Sequence, residues 1–354
     1  MKLGAVTRGV FTAFLALVVG AIVLELTGRD AVEVYRLLVE QSLLSPGALA
    51  DTLLNATPLI FTGVATAIAF RAGVFNVGVE GSMYLGAFAA AWVGFTMTEW
   101  PPGLLIPAAF LAAGVIGALW AVLPGVARAY YGVDEVVSTL LLNYVATSFT
   151  GYLVSYPFLA PGAANAMSPL IAPGARLTRI APPSQLNLSF VIALAVAVAA
   201  AVLIYRTTAG FALRAAGSNP RFAQSAGIDV RATIVMAMVV SGFIGGLGGA
   251  GQILGVNYRF IQGFSPGYGF DGITVALLVR NDPLGAILGA LFFGALRNGG
   301  ATIQLFADIP IDLIHVLQAA IILFVTVEPR VTGWFARWRQ RPTKLSGTPL
   351  PVRE

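Results

Sequence analysis

Five polar side chains capable of hydrogen bonding or titration stand where their neighbours are apolar: Asn76, Glu80, Asn143, Asp271 and Asn298. Asn76 and Glu80 are four apart, which puts both on one face of a helix. Ala72, Gly73, Gly78 and Gly81 around them leave room for close backbone approach or a broken helix. Asp271 stands among Gly267, Gly269 and Gly272, a composition that suits a bent or re-entrant segment. An ionisable group at membrane depth is costly and usually faces a cavity or a partner. The chemistry these groups offer is hydrogen bonding to a hydroxylated solute, with Asn76 and Asn143 the better candidates for a neutral ring. The competing reading for each is a helix–helix hydrogen bond of about 0.6 kcal/mol. Covalent chemistry is poorly served. There is no cysteine, hence no thiolate nucleophile, disulfide or cysteine-ligated metal, and the single histidine, His315, cannot form a multi-histidine metal site. No paired carboxylates fall within one apolar run, so a membrane-embedded enzyme is disfavoured and no catalytic or metal-ligating residue is assigned.

The elements that must position these residues follow from composition. Hydrophobic residues make up 57% of the 354 positions and charged residues 10%, too few polar groups to cover a water-facing surface. The chain is therefore expected to be an all-α, polytopic transmembrane bundle forming a single transmembrane domain over 1–354. A disordered or collagen-like chain is excluded, and the net charge of +5 is not gathered into a nucleic-acid-binding face. Apolar runs of bilayer length occupy 10–26, 53–70, 81–97, 104–126, 136–158, 188–205, 232–254 and 311–327. Two shorter runs, 270–279 and 284–296, complete about ten helices and predict a re-entrant or broken region in the C-terminal third. Lys2 and Arg8 ahead of the first run also suit a secretory leader, but no small-residue cleavage site follows it. With the N-terminus inside, only Arg29, Arg36, Arg176, Arg179, Arg259 and Arg297 of the 21 basic residues fall outside, so both termini are expected to be cytoplasmic.

Three segments lie between or beyond the spans. The proline-rich loop 160–187 is expected to be extracytoplasmic, extended and exposed, as a connector or a docking surface. Segment 31–44 has the mixed faces of an interfacial helix. The tail 329–354 follows the last span and mixes aromatic and basic residues over 334–344, which suits an anchor on anionic lipid better than a nucleic-acid stripe. The glycines of 246–251 match a dinucleotide-binding pattern, but they sit inside an apolar span with no strand before them. The pairs Gly242/Gly246 and Gly245/Gly249 read instead as close helix packing.

Segment 206–231 carries the most punctuation. Asn219 can cap a helix whose first residue is Pro220, and Gly227 can end it in the left-handed conformation. A helix that short has no core in which to bury Phe222, so it either lies on its own bundle or meets a partner protein. Its sequence, GFALRAAGSNPRFAQSAGID over 210–229, resembles the coupling segment through which bacterial ABC-importer permeases contact their ATPase. The stretches FRAGVFNVGVEG (70–81), GYGFDGITVALL (267–278) and NDPLG (281–285) resemble the branched-chain amino acid and simple-sugar permease family, above all its nucleoside-importing members.

That resemblance, which runs from about residue 53 to about 327, implies the permease subunit of an ATP-driven importer in a bacterial inner membrane. It implies transport of a small hydroxylated solute, a nucleoside first and a simple sugar of the ribose or galactose type second. It assigns coupling to Arg214, Gly217, Asn219, Pro220, Arg221, Phe222 and Gly227. It also implies three partners: a cytoplasmic ATPase that holds the ATP and Mg²⁺, a homologous permease or second copy, and an extracytoplasmic substrate-binding protein. The only lysines are Lys2 and Lys344, so this chain has no Gly-Lys-Ser/Thr phosphate loop of its own. An ion-coupled secondary transporter, with polar broken helices in both halves, is the alternative that needs no ATPase.

Overall fold

A computed structural model describes residues 18–307 except 23, 27 and 29. The predicted spans 10–26 and 311–327 lie partly or wholly outside these residues, as do His315 and the tail 329–354. Among the described residues the protein is helical, with two isolated bridges, Met167–Ile261 and Arg179–Asn187, as its only extended pairing. The helices are α1 (Ala31–Leu43), α2 (Pro46–Arg71), α3 (Val79–Thr96), α4 (Pro102–Tyr131), α5 (Glu135–Ser155), α6 (Ser189–Arg206), α7 (Thr208–Ser218), α8 (Pro220–Ser225), α9 (Val230–Gln252), α10 (Tyr268–Leu278) and α11 (Gly285–Ala307). Among the described residues five segments are long and apolar enough to cross a membrane: α2, α4, α5, α6 and α9 with its extension to Asn257.

Local chemistry sets the boundaries. Ser45, Asp134, Thr207, Asn219 and Asp229 each accept a backbone N–H at the start of a helix, and Gly132 ends α4 in the left-handed conformation at φ 67°. Helix α2 is the hub, with every residue from Ala56 to Ala69 buried, and α6, α9, α10 and α11 pack around it. Helix α9 lies against α3 and α4 through the small residues that looked like a cofactor motif. A Cβ on Gly246 would come within 2.1 Å of the Ala113 carbonyl oxygen, and one on Gly249 within 2.2 Å of that of Met83. The glycines serve backbone-to-backbone packing.

The C-terminal third is broken as its short apolar runs predict. Helix α9 finishes in a π-helical turn, Ile253–Asn257, after which Tyr258 takes the left-handed conformation at φ 56°. The chain then runs back along α3 as a non-helical leg with a turn at Gly263, with Phe260 fully buried and Phe264 against Tyr84, before α10 completes the passage. An 11-residue helix is about 16 Å long, half a bilayer. Helix α11 then returns as a full 23-residue helix. Arg297, which the sequence places in an outer loop, is therefore inside a helix.

Two further expectations change. Segment 206–231 holds two helices, because Thr207 caps α7 at the Gly210 N–H (3.0 Å) ahead of the predicted one. Loop 160–187 is not extended and exposed: Ser168, Ile171, Ala175 and Leu177 are buried. Its only helix is the single 3-10 turn Pro173–Ala175, yet its backbone pairs with its surroundings. Ala172 N–H donates to the Gly94 carbonyl (2.8 Å) and Leu177 N–H to that of Leu254 (2.8 Å). The loop thus seals the end of the bundle where α3 and α9 finish. Segment 206–231 lies at the opposite, basic end, with Arg71, Arg128 and Arg280. Helix α1 is amphipathic as read, with Val34 and Leu38 buried and Arg36 exposed.

Candidate functional site

Between α2 and α3 the chain leaves helical geometry for residues 72–78, and side chains hold this gap in shape. Asn76 is buried. Its Nδ2 donates to Ser241 Oγ on α9 (2.9 Å), and its Oδ1 accepts the Gly78 N–H (2.8 Å). Asn143 on α5 is also buried. Its Nδ2 donates to the Val77 carbonyl (2.9 Å), and its Oδ1 accepts the Gly81 N–H (2.8 Å). Thr139, one turn earlier on α5, accepts the Val77 N–H (3.2 Å). A broken helix exposes backbone groups that hydrocarbon cannot solvate, and these three side chains replace the missing partners.

Asn143→Leu should therefore leave the Val77 carbonyl and the Gly81 N–H unpaired at a cost of about 2 kcal/mol or more. The expected result is a smaller yield and lower thermal stability of the permease, with uptake per assembled complex retained. Uptake lost at unchanged stability would instead put Asn143 in contact with the solute.

Glu80 follows in the first turn of α3, where its carboxylate meets the N-terminus of the half-helix α10. It accepts the Gly269 N–H and is hydrogen-bonded by the Ser265 side chain. Ser265 Oγ also accepts the N–H groups of Gly267 (3.2 Å) and Tyr268 (3.1 Å), while its carbonyl accepts the Tyr84 hydroxyl (3.4 Å). A carboxylate at a helix N-terminus satisfies orphan N–H groups and complements the helix dipole. The approach leaves no space for a side chain at 269, since a Cβ there would lie 2.5 Å from the Glu80 backbone nitrogen. One turn along α10, Asp271 pairs with Arg297 of α11. Arg297 Nε donates to Asp271 Oδ2 at 2.9 Å, its Nη2 donates to the same oxygen, and its guanidinium lies 4.9 Å from the Tyr268 ring centroid. The structure thus gathers Glu80, Asp271 and Arg297 at the start of α10, with Asn76 and Asn143 on the adjoining gap. It does not bring in Asn298, whose Nδ2 donates to the Ala48 carbonyl (2.9 Å) and to Thr52 Oγ1 (3.1 Å) on α2.

Sequence reading missed Arg297, Ser265 and Thr139. Arg297 ends an apolar run, where an arginine reads as the loop beyond a span. A basic residue as the implied partner of Asp271 was the available signal.

At the basic end, Asn219 Oδ1 accepts the Phe222 N–H (3.1 Å), Pro220 opens α8, and Gly227 closes it at φ 81°. Ala223 packs with Ala215, Ala216 and Val230, leaving Phe222 64% exposed and Arg221 exposed. Helix α7 meets the end of α2 at Gly217, where a Cβ would sit 2.2 Å from the Arg71 carbonyl oxygen. Beside that contact, Arg71 Nε donates to the Asn281 carbonyl (2.9 Å) and its Nη2 to the Tyr205 hydroxyl (3.2 Å). The Arg71 and Arg214 guanidiniums each lie 5.8 Å from the Tyr205 ring centroid, and the Tyr205 hydroxyl donates to Asp282 Oδ2 (3.3 Å). One junction joins α7, the end of α2 and the α10–α11 turn. Among the described residues no cluster of metal-ligating side chains occurs.

Comparison with known proteins matches this architecture. The family model described as the permease component of the branched-chain amino acid transport system fits residues 48–326. The chain is 36% identical to the guanosine ABC transporter permease protein NupP of Bacillus subtilis, over 88% of this chain and 90% of NupP. It is 34% identical to the glucose ABC transporter permease protein TsgB13 of Haloferax volcanii, over 93% and 88% of the two chains. It is 32% identical to the nucleoside ABC transporter permease protein NupB of Lactococcus lactis, over 91% and 92%. With the match extending from α2 past α11, the chain belongs to the branched-chain amino acid transport system permease family and is a multi-pass membrane protein.

Proposed function

We propose that this chain is the permease subunit of a nucleoside importer in a bacterial cytoplasmic membrane, driven by a separate ATPase. The observation that carries the ATP-driven reading is α8: a short, doubly capped helix at the basic end that presents Phe222 to solvent. The choice of solute rests on NupP and NupB, whose names give guanosine and nucleoside, with TsgB13 keeping glucose as the second reading.

In this reading the ATPase holds ATP and Mg²⁺, meets Arg221 and Phe222 on α8, and moves α7 and α8 when it closes. Arg214, Gly217, Asn219, Pro220 and Gly227 shape and seat the two helices. Their displacement reaches Arg71 and the α10–α11 turn through the Tyr205 junction. The half-helix α10 carries it to Glu80 and Asp271, near the midplane where transporter sites form around broken helices. Asn76 and Asn143 keep the adjoining gap in register. A homologous permease or second copy completes the pore, and loop 160–187 offers its sealed surface to an extracytoplasmic binding protein.

Uptake of labelled nucleosides, ribose and galactose by cells expressing the complete operon tests the solute. Saturable nucleoside uptake, competed by unlabelled nucleoside and not by hexose, is expected. Hexose uptake without nucleoside uptake would make this a sugar permease.

A further inference from the structure

The membrane-spanning helices differ in what they show to their surroundings. Along most of α4 the exposed large side chains are aliphatic, Leu104, Leu111, Val115, Ile116, Leu119 and Leu123, and its exposed tyrosines, Tyr130 and Tyr131, stand at the basic end. The exposed large side chains of α6 are likewise aliphatic through its length, among them Val191, Val198 and Val202, with Tyr205 and Arg206 exposed only at the basic end. Such faces suit lipid. Helix α5 differs in placing exposed hydroxyl-bearing side chains among its aliphatic ones well inside its length. It has the lowest hydropathy of the five spans and buries the smallest share of its length. It packs on the bundle by one narrow stripe, Thr139, Asn143, Ala146 and Thr150. The opposite face, by helical periodicity, carries Tyr144, Ser148 and Tyr152 interleaved with exposed Val137, Leu141 and Val145. Tyr144 and Tyr152 are 68% and 56% exposed, and Ser148 is exposed.

Depth separates this face from an interfacial tyrosine belt. Glu135 is fixed at the basic end by its ion pair with Arg128 (3.1 Å). At 1.5 Å per residue Tyr144 lies about 14 Å and Ser148 about 20 Å farther along, within a hydrocarbon layer of about 30 Å. Tyr152 and Tyr156 are near the far boundary, where tyrosines also serve as anchors. Tyr144 and Ser148 have no such explanation, and hydrocarbon gives a hydroxyl no hydrogen-bond partner.

We propose that the Tyr144–Ser148–Tyr152 face of α5 lines the aqueous route of the solute and that the two tyrosine rings bind its base. This rests on the permease reading above and adds to it the residues and the chemical class. Past Glu135, α5 carries no charged residue, so the face offers no counter-ion to an amino acid's ammonium or carboxylate. It offers flat rings with hydroxyls between them, the complement of an uncharged heterocycle joined to a sugar.

The natural absence of cysteine makes a direct test available. Tyr144→Cys, Ser148→Cys and, as the lipid-facing control, Leu119→Cys are introduced singly into the complete transporter in proteoliposomes. Each is treated with a charged methanethiosulfonate, with and without ATP and with and without nucleoside. Ser148→Cys is nearly isosteric and keeps the test alive should Tyr144→Cys fail to fold. Positions 144 and 148 are expected to react about tenfold or more faster than 119, because the reactive thiolate forms only in contact with water. Saturating nucleoside should slow that reaction. Rates as low as at 119 in every nucleotide state would overturn the proposal. So would fast labelling that nucleoside leaves unchanged, or a cross-link that buries position 148 against the second permease. ATP-dependent uptake by the cysteine-free chain in the same vesicles tests the permease reading separately, so the two can fail independently.

Discussion

Phe222→Asp is expected to release the ATPase while leaving the permease folded in the membrane. The side chain is 64% exposed, so the folded monomer loses little by the change. Asn219 and Pro220 still set the first turn of α8, and Gly227 still ends it. In the assembled transporter the same position would place an unpaired carboxylate in an apolar contact. Aromatic anchors at interface centres contribute about 2 kcal/mol or more, roughly thirtyfold in affinity. Co-purification in mild detergent should recover wild-type permease with its ATPase and the variant without it. Phe222→Leu should retain much of the binding. An ATPase that stays with the Asp variant would put the coupling contact elsewhere.

The second large effect is expected at Arg297. The Asp271–Arg297 pair is largely buried, with side-chain exposures of 20% and 14%, and it ties the half-helix α10 to α11. Arg297→Met leaves a carboxylate in a water-poor site and should cost about 3 kcal/mol or more, seen as loss of monodisperse protein after mild heating. Adding Asp271→Leu removes the stranded charge and should restore most of the stability. If the double variant recovers stability but not uptake, the pair also serves transport. If the double variant is no more stable than Arg297→Met alone, charge compensation is not what holds α10.

Much of this was legible in the sequence because membrane spans are written in runs of one chemical character. Helices α2 to α6 and α9 fall where their apolar runs lie, and the ends of α8 follow from Asn219, Pro220 and Gly227. The break at α10 showed as the apolar run 270–279, too short to cross, whereas 284–296 reads short only because Arg297 and Asn298 follow it inside the continuous helix α11. Tertiary partners were not legible. Nothing near Asp271 in the chain announces that Arg297, 26 positions on, returns one helix later to meet it. The same holds for Asn143, which bonds the backbone of Val77 and Gly81 from another helix. Loop 160–187 misled for a related reason. Its prolines limit it to one short 3-10 turn, but backbone bonds to residues such as Gly94 and Leu254 hold it down all the same.

The central claim is that this chain moves its solute only when a separate ATPase works on α8. Proteoliposomes containing the permease and its pore partner, prepared with and without the ATPase, test it most directly. Labelled nucleoside supplied with the binding protein should accumulate only when the ATPase is present and ATP is on its side of the membrane. Accumulation driven by an ion gradient with no ATPase present would contradict the account and make the protein a secondary transporter.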